Sequence, residues 1–230
     1  DLRTPLARLR LETEMSVSDE TAREHMVADS VQLDATIDKF LDYARPDHVT
    51  LSPINLHSVL SSCMYAVQDH RELQIAMSVP EDLHVLADEV ELARIISNLL
   101  ENARRYGKTP GTSVTRVEIS AKGRENWVLI KVRDHGAGVP PEQLSNLTKP
   151  FFRGDSARTA AAGAGLGLSI VDKTIQRMGG IFALSNSSSG GMVAHIQLKQ
   201  AQGLPDGADP QNRLQRPHTK RNLPPGVAPK

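Results

Sequence analysis

Asn98 and Asn102 stand one helical turn apart in the run Asn-Leu-Leu-Glu-Asn-Ala-Arg-Arg-Tyr. Side chains four residues apart share a helix face, so the two carboxamides can aim at one point. Magnesium takes oxygen ligands and keeps several waters while phosphates supply others, so one or two neutral protein oxygens suffice to hold it. Three further patterns follow in order: Asp134-His135-Gly136-Ala137-Gly138, then Pro150-Phe151-Phe152-Arg153-Gly154-Asp155, then Gly163-Ala164-Gly165-Leu166-Gly167-Leu168. Each alone is weak, because short glycine patterns arise by chance. In this order they describe a site that holds a nucleotide through Mg²⁺ and loop backbone.

Asp134 ends the alternating run Trp127–Arg133, where a carboxylate can accept a hydrogen bond from an adenine amine. Gly136 and Gly138 give the backbone freedom for a turn against a flat base. A ligand-free Asp-Xaa-Gly turn is an equally familiar use of the same residues. His135 carries no role in this reading. Gly163, Gly165 and Gly167 lead into a helix beginning near Leu166, whose N-terminal amides and dipole suit phosphate. The glycine loop comes late and lacks a preceding parallel strand unit, which disfavours a dinucleotide fold. Phe151 and Phe152 stand out among 3% aromatics and fit as anchors of a lid's base rather than substrate contacts. Arg153 and Gly154 open a stretch, 155–162, without the apolar spacing to pack, as a lid ordered by phosphate requires. Arg153 serves there either as a phosphate contact or as an ordinary surface charge.

The elements that must position these groups are legible from periodicity. Asp1 to about Met15 reads as a helix with Leu2, Leu6 and Leu9 on one stripe. After a turn at residues 16–19, with Ser18 or Asp19 as cap, a second helix runs to Tyr43 with Met26, Leu33, Ile37 and Phe40 at 3–4 spacing. Such a hairpin leaves an apolar stripe open, and pairing two hairpins into a four-helix bundle covers it, so a homodimer is expected. Arg45-Pro46-Asp47 ends the second helix. Beyond it, helices are expected over Asn55–His70, Glu89–Tyr106 and Leu166–Met178. Strands are expected over Leu73–Val79, Leu83–Ala87, Val114–Ala121, Trp127–Arg133, Ile181–Ser185 and Met192–Lys199. The fold class is α+β: residues 1–48 form the helical hairpin, residues 49–200 place helices on one face of a mixed sheet, and residues 201–230 read as a disordered tail.

The chain of 230 residues has 27 acidic and 27 basic side chains, which argues against a nucleic-acid partner held by bulk charge. One cysteine permits no internal disulfide, in keeping with a reducing compartment. No apolar run reaches the roughly 18–20 residues of a membrane helix.

The order of motifs resembles the ATP-binding domain of sensor histidine kinases, with its asparagine box, two glycine boxes and phenylalanine box. Asp1-Leu2-Arg3-Thr4-Pro5-Leu6 looks like that family's phosphoacceptor motif with the histidine cut away. Asp1–Arg10, Asn102–Gly107 and Phe152–Thr159 are close to the EnvZ osmosensor subgroup. The resemblance reaches from Asp1 to Lys199. It implies the α/β sandwich shared with gyrase and Hsp90, and ATP and Mg²⁺ as cofactors. It makes Asn102 the metal ligand with Asn98 beside it, sets Arg105, Tyr106 and Gly107 along the nucleotide, and makes Asp134 the adenine-reading residue. Gly136, Gly138, Arg153, Gly154, Gly163, Gly165, Leu166 and Gly167 complete the pocket on this analogy. Asp1 would orient or deprotonate the acceptor imidazole, and Thr4 would position water when a partner aspartate is dephosphorylated.

Related ATPases that hydrolyse carry a glutamate where this chain has Asn98, and an amide cannot deprotonate water. Phosphotransfer is therefore the leading expectation: autophosphorylation on histidine, then transfer to an OmpR-like receiver domain of a response regulator. The family likeness implies the cytoplasmic portion of a bacterial inner-membrane protein, joined to the membrane only through N-terminal segments absent from this sequence. Without the acceptor histidine, the chain is expected to bind ATP·Mg²⁺ without labelling itself. The competing readings are a non-enzymatic dimerisation and regulator-docking module with a nucleotide site, and a hydrolase of the gyrase type.

Overall fold

The computed structural model describes residues 3–44, 48–154 and 164–201. Helix α1 covers Arg3–Ser16 and α2 covers Glu20–Ala44. Asp19 starts α2, its Oδ1 accepting the Ala22 N–H at 2.9 Å, so the acid rather than Ser18 makes the cap. Leu9, Met15, Met26, Leu33, Phe40 and Leu41 remain exposed, as an unpaired hairpin requires. Leu2, Arg45-Pro46-Asp47 and residues 202–230, the body of the expected tail, lie outside the described residues.

The larger unit is a five-stranded mixed sheet with helices on one face. Its strands are β2 (Leu73–Ser78), β4 (Thr115–Arg124), β5 (Trp127–Asp134), β6 (Ile181–Asn186) and β7 (Met192–Lys199). They lie in the order β2-β4-β5-β7-β6, with β2 and β4 parallel and the other neighbours antiparallel. A second, two-stranded sheet pairs β1 (Ser52–Asn55) with β3 (His84–Ala87). Periodicity missed β1: its four residues include Pro53, and the pairing that makes it a strand is with residues some thirty positions away. Helix α3 is Leu56–Ala66, capped by Asn55 through the Ser58 N–H, and stops short of the expected His70. It stops because the chain after Val67 turns polar, leaving nothing to hold a helix against the sheet.

Helix α4 runs Glu89–Tyr106 with the bounds expected. Leu92, Ile95, Ile96, Leu99 and Leu100 are all buried on its sheet-facing side, each contributing roughly 1.5–3 kcal/mol of transfer free energy. The helix packs over Val117, Ile119, Val128 and Ile130, the inward members of two alternating strands. A short helix α5, Pro141–Leu144, was not expected; α6 spans Gly167–Arg177 and stops at Gly179, whose φ of 69° only glycine adopts without strain. The turn between β4 and β5 is tighter than expected, with Arg124 still paired to Trp127. Ala201, the first residue of the expected tail, is still buried, and its N–H bonds to the His84 carbonyl at 3.1 Å.

The hairpin rests on this unit through α2. Lys173 on α6 donates to the Tyr43 carbonyl at 3.2 Å and sits 5.0 Å from the Tyr43 ring centre. No described helix is long and apolar enough to cross a membrane.

Asp88 accepts the Val90 and Glu91 N–H groups at 3.1 Å, so it fixes where α4 begins and hence where its asparagines fall. Asp88→Ala is expected to lower unfolding stability by about 1–2 kcal/mol, read from urea midpoints.

Candidate functional site

Between α2, α4, the turn after β5 and the start of α6 lies a cavity of about 590 Å³, within the range of small-molecule sites. Asn98, Asn102, Arg105 and Tyr106 line it from α4; Asp134 and Gly138 come from the β5 turn; Phe152, Arg153, Gly154, Gly165 and Gly167 come from the two later motifs. The four motifs thus converge on one space.

On α4, Asn98 is 5% exposed. Its Nδ2 donates to the Arg94 carbonyl at 3.0 Å, and its Oδ1 accepts from Lys39 Nζ at 2.6 Å. Asn102 Nδ2 is buried without a partner among the described residues. A buried donor left so costs about 1–3 kcal/mol, which a phosphate oxygen would recover. Gly167 lies beside it: a Cβ there would stand 3.5 Å from both amide atoms. Two inward carboxamides, one with an unmet donor, over a helix N-terminus fit an Mg²⁺-triphosphate group.

Asp134 is 8% exposed, and its Oδ1 accepts the Gly136 N–H at 2.8 Å and the Met192 N–H at 3.2 Å. Its other oxygen has no hydrogen bond among the described residues, which suits a base amine. Glycines set its position. A Cβ on Gly107 would come 2.7 Å from Asp134 Cβ, one on Gly136 2.8 Å from Gly107 Cα, and one on Gly191 1.9 Å from the Asp134 carbonyl. Gly107 and Gly136 are absent from the cavity wall; they let the end of α4 touch the end of β5. Gly138, at φ 75°, is held by Asn186, whose amide exchanges hydrogen bonds with the Val139 backbone.

The residues flanking the expected lid are joined: the Phe151 N–H bonds to the Gly165 carbonyl at 2.9 Å, and Gly165 takes φ 67°. The phenylalanines do not anchor this base in the core, as expected from their type. Phe151, at φ 64°, is 60% exposed, and Phe152 is half-buried and lines the cavity. Leu166 is buried in packing rather than lining the cavity. Thr4 does not line the cavity either. Asp1, Gly163 and the lid between 155 and 162 lie outside the described residues.

Charge around the site is balanced. Glu101 is pulled down to about 2 by hydrogen bonds from Arg104 and then Arg105, against burial. Arg105 therefore borders the cavity while paired to Glu101. Lys39 is shifted below its ordinary value because burial outweighs the attraction of Asp42 and Glu101. Lys39, with Gln32 and Thr36, forms a wall that sequence reasoning did not foresee. Nothing in a helical repeat marks one surface lysine as facing a remote asparagine. Gly191 was legible only as part of a turn.

Residues 87–202, just over half of the chain, match the family described as histidine kinase-, DNA gyrase B- and HSP90-like ATPases. The chain belongs to that family. Its relatives within it are sensor histidine kinases. ZraS of Salmonella typhimurium, a sensor histidine kinase, is 30% identical over 75% of this chain and 36% of its own length. ShkA in complex with AMPPNP shares the fold of this kinase-like chain at a TM-score of 0.70, with 24% identity over 88% of this chain and 44% of that one. ThkA in complex with the response regulator TrrA gives 0.63, with 19% identity over 86% and 57%. The chain spans less than half the length of the curated relatives it matches.

A carboxyl held below its ordinary 4.5 stabilises the fold above that value and loses the contribution as pH falls toward about 2. Between pH 5 and 3, Glu101→Gln is therefore expected to flatten the decline of unfolding free energy with acid. Gly191→Ala is expected to cost at least about 1–3 kcal/mol from its left-handed backbone, φ 86°, alone, and to weaken nucleotide binding, measured by thermal shift and calorimetry.

Proposed function

We propose that this chain is the catalytic portion of an EnvZ-like sensor histidine kinase, which binds ATP with Mg²⁺ and passes the γ-phosphoryl group to a histidine. The observation that carries this reading is the absence of a base for water. Among the described residues lining the cavity, Asp134 is the sole carboxylate, and its Oδ1 is committed to two backbone N–H groups. Where hydrolysing relatives carry glutamate, Asn98 offers a neutral amide. A bound triphosphate then waits for a nucleophile from outside the cavity.

In this reading Asp134 accepts the adenine amine and Asn98 and Asn102 hold Mg²⁺. Arg105, Tyr106 and Arg153 border the nucleotide, and the α6 N-terminus with Gly165 and Gly167 receives the phosphates. Magnesium, when bound, neutralises phosphate oxygens and so eases attack. Asp1 orients the acceptor imidazole and takes its proton as the ring nitrogen bonds to phosphorus and ADP departs. The phosphoryl group then passes to an aspartate of an OmpR-like receiver domain, and Thr4 positions the water that later removes it. ThkA, which shares this fold, is known bound to a response regulator.

Residues 1–48 are assigned to dimerisation, 49–200 to catalysis and 201–230 to a tail. The exposed apolar stripe of α1 and α2 supports a homodimer. The complete protein is assigned to the bacterial inner membrane with this portion in the cytoplasm.

Calorimetry with ATP should show binding that needs Mg²⁺. Asn102→Ala should abolish that metal dependence with the fold intact; unchanged affinity removes Asn102 from the metal. Asp134→Asn should reduce the preference for ATP over GTP by about 1–3 kcal/mol. Mixed with a separate bundle domain bearing the histidine, the chain should label it from γ-labelled ATP. Binding without transfer favours a docking module, and rapid phosphate release favours a hydrolase.

A further inference from the structure

The ammonium of Lys39 occupies the oxygen that the proposed function gives to a metal. Lys39 Nζ lies 2.6 Å from Asn98 Oδ1, the length of a strong charge-assisted hydrogen bond. The amide is held in this orientation by the bond from Nδ2 to the Arg94 carbonyl of the preceding turn. We propose that Lys39 is a tethered cation that takes the place of Mg²⁺ on Asn98, so that docked α2 and the metal–nucleotide complex compete for one amide oxygen. This rests on the reading of Asn98 as a metal-side residue.

The ammonium and the metal ion within the nucleotide complex are both cations, and both seek a neutral oxygen. A carbonyl oxygen has two lone pairs, yet two cations sharing it would face each other within a few ångströms in a half-buried cavity, where repulsion is strong. Neighbouring charges do not remove the conflict: Asp42 and Glu101 attract the ammonium while Arg94 and Arg105 oppose it. Gln32, Ala35 and Thr36 of α2 line the same cavity, which keeps its volume of about 590 Å³ with the helix docked, so the contest is over the oxygen rather than over space.

The tether is releasable. Other polar ties between α2 and the ATP-binding unit include the Lys173–Tyr43 contact and a 3.9 Å approach of Arg94 to Asp42. Loss of the Lys39 bond would therefore loosen the hold on the helix at the cavity. The device makes the hairpin respond to metal-bound nucleotide rather than to nucleotide alone, because a free triphosphate has no claim on the Asn98 oxygen. In the docked state α2 stays on the cavity; in the charged state it is released toward the chemistry.

The test compares the full chain with Lys39→Met, which keeps the apolar stem and removes the charge. Calorimetry uses a non-hydrolysable ATP analogue, once with Mg²⁺ and once in EDTA. Hydrogen exchange of residues 29–44 reports release of α2. The variant is expected to bind the Mg²⁺ complex about tenfold more tightly, as for loss of one charge-assisted contact. Its affinity in EDTA should be unchanged. In the original chain, exchange over α2 should quicken with the Mg²⁺ complex but not in EDTA, and in the variant it should be quick from the start. Weaker binding by Lys39→Met under both conditions makes Lys39 a phosphate contact and overturns the proposal. So does unchanged binding, or α2 exchange indifferent to the metal. If neither protein binds the analogue under any condition, the nucleotide assignment falls, and this one with it.

Discussion

The end of α4 and the end of β5 approach each other more closely than any side chain allows. Gly107 and Gly136 meet backbone to backbone, and Gly191 passes against the Asp134 carbonyl from the other side. This contact sets the separation between the carboxamides of α4 and the carboxylate of β5. It depends on no hydrogen bond to a ligand, so the pocket's main dimension is built into the folded chain. Because the interior is close-packed, a methyl group added there has nowhere to go.

Around that fixed point the protein is divided into parts that differ in what holds them. The sheet and the inner faces of α3, α4 and α6 are tied by apolar burial, which is non-directional and large in sum. The cavity is made from element ends, where backbone groups are unsatisfied and polar side chains are oriented by a few named bonds. The lid is pinned at both ends by one Phe151–Gly165 hydrogen bond. The hairpin leans on the cavity through a handful of polar contacts.

Asn98 carries no charge, and that neutrality has two consequences for the cavity. In the kinase reading proposed above, an amide there withholds a base from water and leaves a bound triphosphate for transfer. The same neutrality makes its oxygen open to any cation that reaches it, and Lys39 reaches it. A glutamate at that position would attract both cations more strongly and would also offer a base to water.

The motifs, α4 with its bounds, and most strands were legible in the sequence, because helical and alternating periodicities are local and a buried face enforces them. Glycine spacing flagged the turns for the same reason: positive φ is a property of single residues. What lay beyond reach was fixed by residues distant in the chain. Strand β1 exists only through its pairing with β3, Phe151 is exposed while Phe152 lines the cavity although both are equally apolar, and Gly191 matters only because Asp134 lies against it. Lys39 is the clearest case, separated from Asn98 by 59 positions and unmarked by any pattern. The sequence determined which chemistry the chain can carry, since amide, carboxylate and glycine are fixed by type. Tertiary structure alone decided which cation meets Asn98 Oδ1, because proximity between remote segments arises only when the core has packed.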